Sequence, residues 1–158
     1  MYSELLTHIQ TTDDLHTLKE EISVLQKTFY EQSASFDSVL STQVRKYIAD
    51  SISKELNSSG IGNKEYLEGL LKELDKLSTV HLTLSYEPDA QSFASFYQWF
   101  VDNVGPAIVL DVYTNPNLLG GAQISFNGKY YDGSLITKIN QINRSRKISQ
   151  QNQQVTHE

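Results

Sequence analysis

The chain has 158 residues, enough for one domain with a sizeable core or for two small ones. Its hydrophobic content of 39% and mean hydropathy of −0.40 favour two unequal parts, one an extended helical section. Lys and Arg number 13 against 19 Asp and Glu, a net charge of −6 that argues against binding to nucleic acid or anionic lipid by charge alone. Cysteine is absent, which removes disulfides, thiolate metal sites and thiol nucleophiles and fits the reducing cytoplasm.

The opening residues MYSELLTHIQTTDD are acidic and polar, so they read as neither a signal nor a transit peptide. No run reaches the roughly 18 to 20 apolar residues needed to cross a bilayer, so no direct membrane insertion is expected. Thr11-Thr12-Asp13-Asp14 supplies an N-cap and first-turn acids, which suit the positive end of a helix dipole. Leu15, Leu18, Ile22, Leu25 and Phe29 then recur at three- and four-residue steps, and Phe36 continues the series. That stripe fits either the inside of a small bundle or a seam for a partner helix.

A second helical run joins Phe36, Leu40, Val44, Tyr47, Ile48, Ile52 and Leu56, with no breaker separating it from the first across Gln32-Ser33-Ala34-Ser35. The stretch from Asn57 to Asn63, with two glycines, is a clear turn. Tyr66, Leu67, Leu70, Leu71, Leu74 and Leu77 stripe a third helix. Met1 to Leu77 holds 13 acidic and 8 basic residues, so the helical part carries most of the negative field.

At Val80 the period changes to two, with Val80, Leu82, Leu84 and Tyr86 alternating with polar residues as in a half-buried strand. Pro88 suits the first turn of a following helix, on which Phe93, Phe96, Tyr97, Phe100 and Val104 share the inward side. Trp99 lies away from that side and is the first residue to test for contact with a partner. Gly105-Pro106 ends the helix, and residues 107–114, AIVLDVYT, form a second strand.

The next twenty residues, NPNLLGGAQISFNGKYYDGS, are dense in turn chemistry. Asn115-Pro116 opens a turn, Leu118-Leu119 leads into Gly120-Gly121, and Asn127-Gly128 is a strong signal for a two-residue hairpin. A glycine pair at a strand start means a bulge, a bend or the close approach of another backbone. Asp132 or Ser134 can cap the next helix, in which Leu135, Ile139 and Ile142 are expected to face inward and Arg144, Arg146 and Lys147 to meet the negative pole. Strand, helix, strand, strand, strand, helix makes a mixed sheet of about four strands. The fold class is α+β, with a helical N-terminal domain over 1–78, an α+β domain over 79–147 and a disordered polar tail over 148–158.

Local chemistry points away from catalysis. Gly120-Gly121 lacks the order and context of a phosphate loop, and Ser134 in Asp-Gly-Ser-Leu is not a nucleophile elbow. Asp111 and Asp132 have no local spacing that pairs them, and no histidine accompanies them. The four histidines are scattered without a metal-ligand pair, so neither cofactor nor metal is expected.

The order Asn-Pro-x-Leu-Leu-Gly-Gly, short strand, tight turn, Asp-Gly-Ser-Leu resembles the C-terminal domain of the delta subunit of F-type ATP synthases, the oligomycin-sensitivity-conferring protein of mitochondria. The resemblance runs from about Val80 to Ile142 and rests on Pro116, Leu118, Gly120, Gly121, Gly128, Asp132 and Ser134. The family usually has Asp-Pro where this chain has Asn115-Pro116, and the segment before Val80 is shorter than the family's helical domain. The resemblance implies a non-catalytic peripheral-stalk subunit, cytoplasmic and tied to the inner face of the cell membrane through its complex. It also implies two partners, the N-terminal helices of the alpha subunits for the helical domain and the distal b subunit for the C-terminal domain. Leu15, Leu18, Ile22, Leu25, Phe29 and Trp99 are then the candidate partner contacts. Alternatives from the residues alone are a small α+β regulatory domain and a single-stranded RNA module using Tyr113 and Tyr130.

Overall fold

A computed structural model describes residues 2–30 and 35–142. The polar tail expected over 148–158, the basic residues Arg144, Arg146 and Lys147, and the helix continuation through Gln32-Ser33-Ala34 lie outside the described residues. The order of elements is α1 Ser3–Leu6, α2 Thr12–Lys27, α3 Phe36–Gln43, α4 Lys46–Ser59, α5 Asn63–Leu74, β1 Ser78–Leu84, α6 Ala90–Val104, β2 Ile108–Thr114, a 3-10 turn Pro116–Leu118, β3 Ala122–Phe126 and β4 Lys129–Asp132. A last helix, α7, occupies 135–142. The chain divides into two compact units that interleave, one of 1–79 with 100–109 and one of 80–99 with 110–158.

In the first unit α2 starts as the sequence implies. The Thr11 hydroxyl accepts the Asp14 N–H at 3.0 Å, and the Asp14 carboxylate accepts the Thr11 N–H at 3.1 Å, a reciprocal capping box. α2 lies beside α3 and α5, while α1 and α3 lie beside α4. Their shared core contains Leu18, Ile22, Leu25, Ile48, Ile52, Tyr66, Leu67 and Leu70, all with no exposed surface. At roughly 1.5 to 3 kcal/mol for each large apolar side chain buried, this core is the main source of the unit's stability.

Two local features depart from the sequence reading. The run from Phe36 to Leu56 is two helices, because Val44 and Arg45 turn extended (φ −110° and −53°, ψ 142° and 133°). The carboxylate of Glu21, on α2, holds that break. It accepts the Arg45 backbone N–H and the Arg45 Nε, each at 2.9 Å, and Arg45 also packs its guanidinium over Tyr47 at 5.5 Å. Burial works against the Arg45 charge, but the Glu21 contact outweighs it and raises the pKa. The second feature is α1, a short helix within the acidic, polar opening residues. Leu5 and Ile9 are buried, the Tyr2 N–H donates to Glu55 at 3.0 Å, and the Tyr2 hydroxyl donates to the Tyr66 carbonyl at 3.2 Å. Tyr66 donates to the same Glu55 at 3.0 Å, and burial first, with Glu55 second, pushes its pKa well up.

The sheet is four-stranded in the order β2-β1-β3-β4. Ser78 N–H donates to Ala107 at one end and Asn115 N–H to Leu84 at the other, so β1 and β2 ascend together and are parallel. β1 with β3 and β3 with β4 are antiparallel, with His81 opposite Ser125 and Ser125 opposite Tyr130. The helix after β1 begins at Ala90 rather than at Pro88, because Asp89 is the cap: its carboxylate accepts the Ser92 N–H at 2.7 Å. On α6, Phe100 is buried, Phe93, Phe96 and Tyr97 are half-buried, and Val104, expected inward, is exposed.

Candidate functional site

The segment from Asn115 to Ser134 is a bracket that holds the start of α7. Asn115 donates its N–H to Leu84 at 2.7 Å and accepts the Asn117 N–H on its side chain at 3.1 Å, which ties the 3-10 turn to the end of β1. Pro116 occupies the first turn, where no N–H is needed, and Leu118 is buried. The chain then takes three positive φ values in succession, 57° at Leu119, 136° at Gly120 and 79° at Gly121. Gly121 is also required sterically, whereas at Gly120 the positive φ decides, since the exposed Leu135 tip can give way. A Cβ on Gly121 would run into the Gly133 carbonyl, and one on Gly120 would stand 2.7 Å from Leu135 Cδ1. This close approach lets Gly120 accept the Leu135 N–H and Ala122 accept the Gly133 N–H, each at 2.9 Å.

Asp132 and Ser134 complete the bracket. One Asp132 oxygen accepts the Ser134 N–H at 2.9 Å, and the other accepts the Thr137 hydroxyl at 2.8 Å and the Gln123 amide at 3.1 Å. Hydrogen bonds from Ser134, then from Thr137, hold the Asp132 pKa down to about 2. Ser134 has no exposed surface, and its hydroxyl accepts the Thr137 N–H at 3.4 Å, the geometry of a cap rather than of a nucleophile. Four motif residues, Gly120, Gly121, Asp132 and Ser134, therefore gather around one helix start. Gly128 does not join them: with Asn127 (φ 47° and 73°) it turns the hairpin at the other end of β3 and β4.

The bracket also fixes how α7 is rotated. Ile136 and Thr137 are the half-buried positions, and Leu135, Ile139 and Ile142, expected to face inward, are 46%, 43% and 53% exposed. The reason is polar. Thr137 must reach back to Asp132 and Ser134, and that requirement turns the Leu-Ile-Ile stripe outward. Leu119, beside the glycine that Leu135 overhangs, is exposed as well. Sequence reading missed this surface, although Thr137 three residues after the Ser134 cap is the signal for its phase.

Elsewhere on the sheet, His81 Nδ1 lies 2.8 Å from Asp111, a pairing hidden in the sequence because the two are 30 residues apart on neighbouring strands. A histidine does accompany Asp111, contrary to expectation. Tyr113 and Tyr130 are both exposed, but the carboxylates of Asp111 and Asp132 on the same sheet do not suit an RNA backbone. Among the described residues no group of three or more His, Cys, Asp and Glu is placed to hold a metal ion.

The profile of the ATP synthase delta (OSCP) subunit family matches residues 63–145. The chain belongs to that family. Over 89 residues it is 27% identical to ATP synthase subunit delta 2 of Vibrio campbellii (strain ATCC BAA-1116), an alignment covering 56% of this chain and 49% of that protein. The chain thus spans about half the length of the curated relative that it matches. The family match begins at Asn63 and so takes in α5 as well as the sheet and α7.

Within this delta-family chain the candidate contacts fall into two groups. Leu18, Ile22 and Leu25 have no exposed area, and Leu15 and Phe29 pack half-buried against the same core, with Phe29 stacked on Phe36 at 5.9 Å. Leu18, Ile22 and Leu25 thus serve the unit's own core, while Leu15 and Phe29 keep part of their surface at its edge. Trp99 is 54% exposed on α6. In the first unit a shallow depression of about 490 Å³ is lined by Leu40 and Ala49 with Asp37, Asp50 and Lys46 around it. No helix among the described residues is long and apolar enough to cross a membrane.

Proposed function

We propose that this delta-family chain is a non-catalytic peripheral-stalk subunit of an F-type ATP synthase. It links the top of the alpha/beta head to the b-subunit stalk, so that rotary torque is resisted during proton-driven ATP synthesis. The observation that carries the reading is the family match laid over a module whose most distinctive polar residues, Asp132 and Ser134, are used for capping and not for chemistry. The work required is helix recognition, which needs apolar surface on a firm scaffold.

In this reading the helical domain, 1–78, meets N-terminal helices of the alpha subunits, and the α+β domain, 79–147, meets the b subunit. The chain sits on the cytoplasmic side, held at the inner face of the cell membrane through the complex. Trp99, 54% exposed on α6, is the aromatic side chain to test for contact with a partner. A tagged copy co-expressed with cognate alpha and b subunits is expected to co-purify with both after cross-linking. Recovery of neither subunit would sink the stalk reading.

A further inference from the structure

The structure assigns Asn127 as a site of spontaneous deamidation, gated by opening of the hairpin of β3 and β4, whose product slackens the bracket that holds α7. Gly128 follows Asn127, and both are exposed at the turn. The Gly128 N–H makes no backbone hydrogen bond, and a Cβ at Gly128 would meet nothing within 4 Å, so this amide nitrogen is free and uncrowded. The other described asparagines are worse placed. Asn57, Asn63, Asn103 and Asn140 stand in helices before residues that carry side chains. Asn115 precedes Pro116, which has no N–H to react, and Asn117 precedes the buried Leu118 within the 3-10 turn.

In the reaction the Gly128 nitrogen, its proton taken by hydroxide, attacks Asn127 Cγ, and the side-chain nitrogen leaves as ammonia. Water then opens the succinimide ring at one of its two carbonyls. Opening at Cγ gives aspartate on an ordinary backbone, and opening at the backbone carbonyl gives isoaspartate, whose main chain runs through Cβ and Cγ. The balance is amide plus water to carboxylate plus ammonia, with no oxidant and no cofactor.

The fold sets the rate. With φ of 47° and 73° the pair has the type I′ form, in which the first residue has a ψ of about +30°. There the Gly128 nitrogen lies nearly opposite Cβ about the Cα–C bond and out of reach of Cγ, so ring closure waits for the turn to open. β4 is a four-residue edge strand with mostly exposed side chains, the kind of element that opens locally. Isoaspartate lengthens the main chain of the loop, which upsets the register that sets Phe126 opposite Lys129 and Gln123 opposite Asp132. Asp132 orients α7 through Thr137, so the damage reaches the bracket. None of this depends on the proposed stalk role.

The test incubates the full chain in mildly alkaline buffer, native and unfolded in urea, and follows each asparagine by peptide mass spectrometry, with enzymatic methylation to mark isoaspartate. A short Phe-Asn-Gly-Lys peptide in both buffers corrects for the solvent. Asn127 is expected to convert before any other asparagine, and about tenfold faster in the unfolded chain than in the native one. Ile124→Ala, which trims the residue opposite Tyr131, should raise the native rate several-fold, and Asn127→Gln should abolish the product. Urea below the unfolding transition should raise the native rate in the same way, which keeps the test decisive if Ile124→Ala does not fold. First conversion at another asparagine would overturn the site, and equal native and unfolded rates would overturn the gate. The modified fraction, separable by its added negative charge, should lose amide protection in β4 and at Thr137. Native protection there would overturn the effect on the bracket.

Discussion

Leu18, Ile22 and Leu25 on α2 have the same spacing as Leu135, Ile139 and Ile142 on α7, and the two stripes meet opposite fates. The first has no exposed area, and the second stands about half exposed throughout. Neighbours explain the first, since α3 and α5 lie along α2 and close over its apolar side. Capping explains the second, because the rotation of α7 is set by the hydrogen bonds of Thr137 with Asp132 and Ser134. A three-residue apolar pattern gives a helix its amphipathic side; whether that side is core or surface depends on what else fixes the helix.

The contrast can be broken or sharpened by substitution, starting with the scaffold that orients α7. Gly121→Val would drive a Cβ into the Gly133 carbonyl at a φ of 79°, so the second unit is expected to lose its cooperative unfolding transition. Hydrogen exchange of β3 and β4 amides reads this directly; native protection in the variant would refute the bracket. Ile22→Ala should destabilise the helical unit by about 3 kcal/mol, as expected of a fully buried side chain, with urea unfolding as the measurement. Glu21→Gln weakens the contact that holds Arg45 at the break between α3 and α4, where the two side chains are 9% and 26% exposed. A loss of about 2 kcal/mol is expected, and an unchanged urea midpoint would show that the break does not depend on the carboxylate.

Acid supplies a milder test on the α7 side. Asp132 has a folded pKa of about 2 against an ordinary 3.8, so its carboxylate stabilises the fold fully above about pH 4. That contribution is lost as the pH falls through about 2. Wild type and Asp132→Asn should therefore differ in melting temperature near neutrality and converge toward pH 2; a constant gap would rule out the carboxylate as the cause. The smallest effect is expected at Ile139→Ala, within about 0.5 kcal/mol, because the residue is 43% exposed and Ala favours helix. Set beside Ile22→Ala, it measures the two stripes on one scale.

Much of the fold was legible where chemistry is local. The Thr11 cap, the Asn127-Gly128 hairpin, the glycine pair and the cap before α7 each follow from a few adjacent residues, and the alternation from Val80 marks the first strand. The division of the run at Val44 and Arg45 was hidden because its cause, Glu21, is 24 residues away. The pairing of α1 with α4 and the contact of His81 with Asp111 were hidden for the same reason. Of the candidate site, the sequence displayed the family motif but left the α2 stripe open between core and seam, and burial of Leu18, Ile22 and Leu25 depends on helices it could not place.

Backbone geometry at turns is dictated by which residues tolerate positive φ or supply a cap, so the amino-acid sequence by itself determined the bracket from Asn115 to Ser134 and the family it signals. The apolar stripes of α2, α5 and α6 were legible in the same local way, but α1 and the break between α3 and α4 were not. Only the tertiary structure decided which stripe is buried, because burial depends on neighbours brought from distant positions, and on one aspartate that turns α7 to face outward.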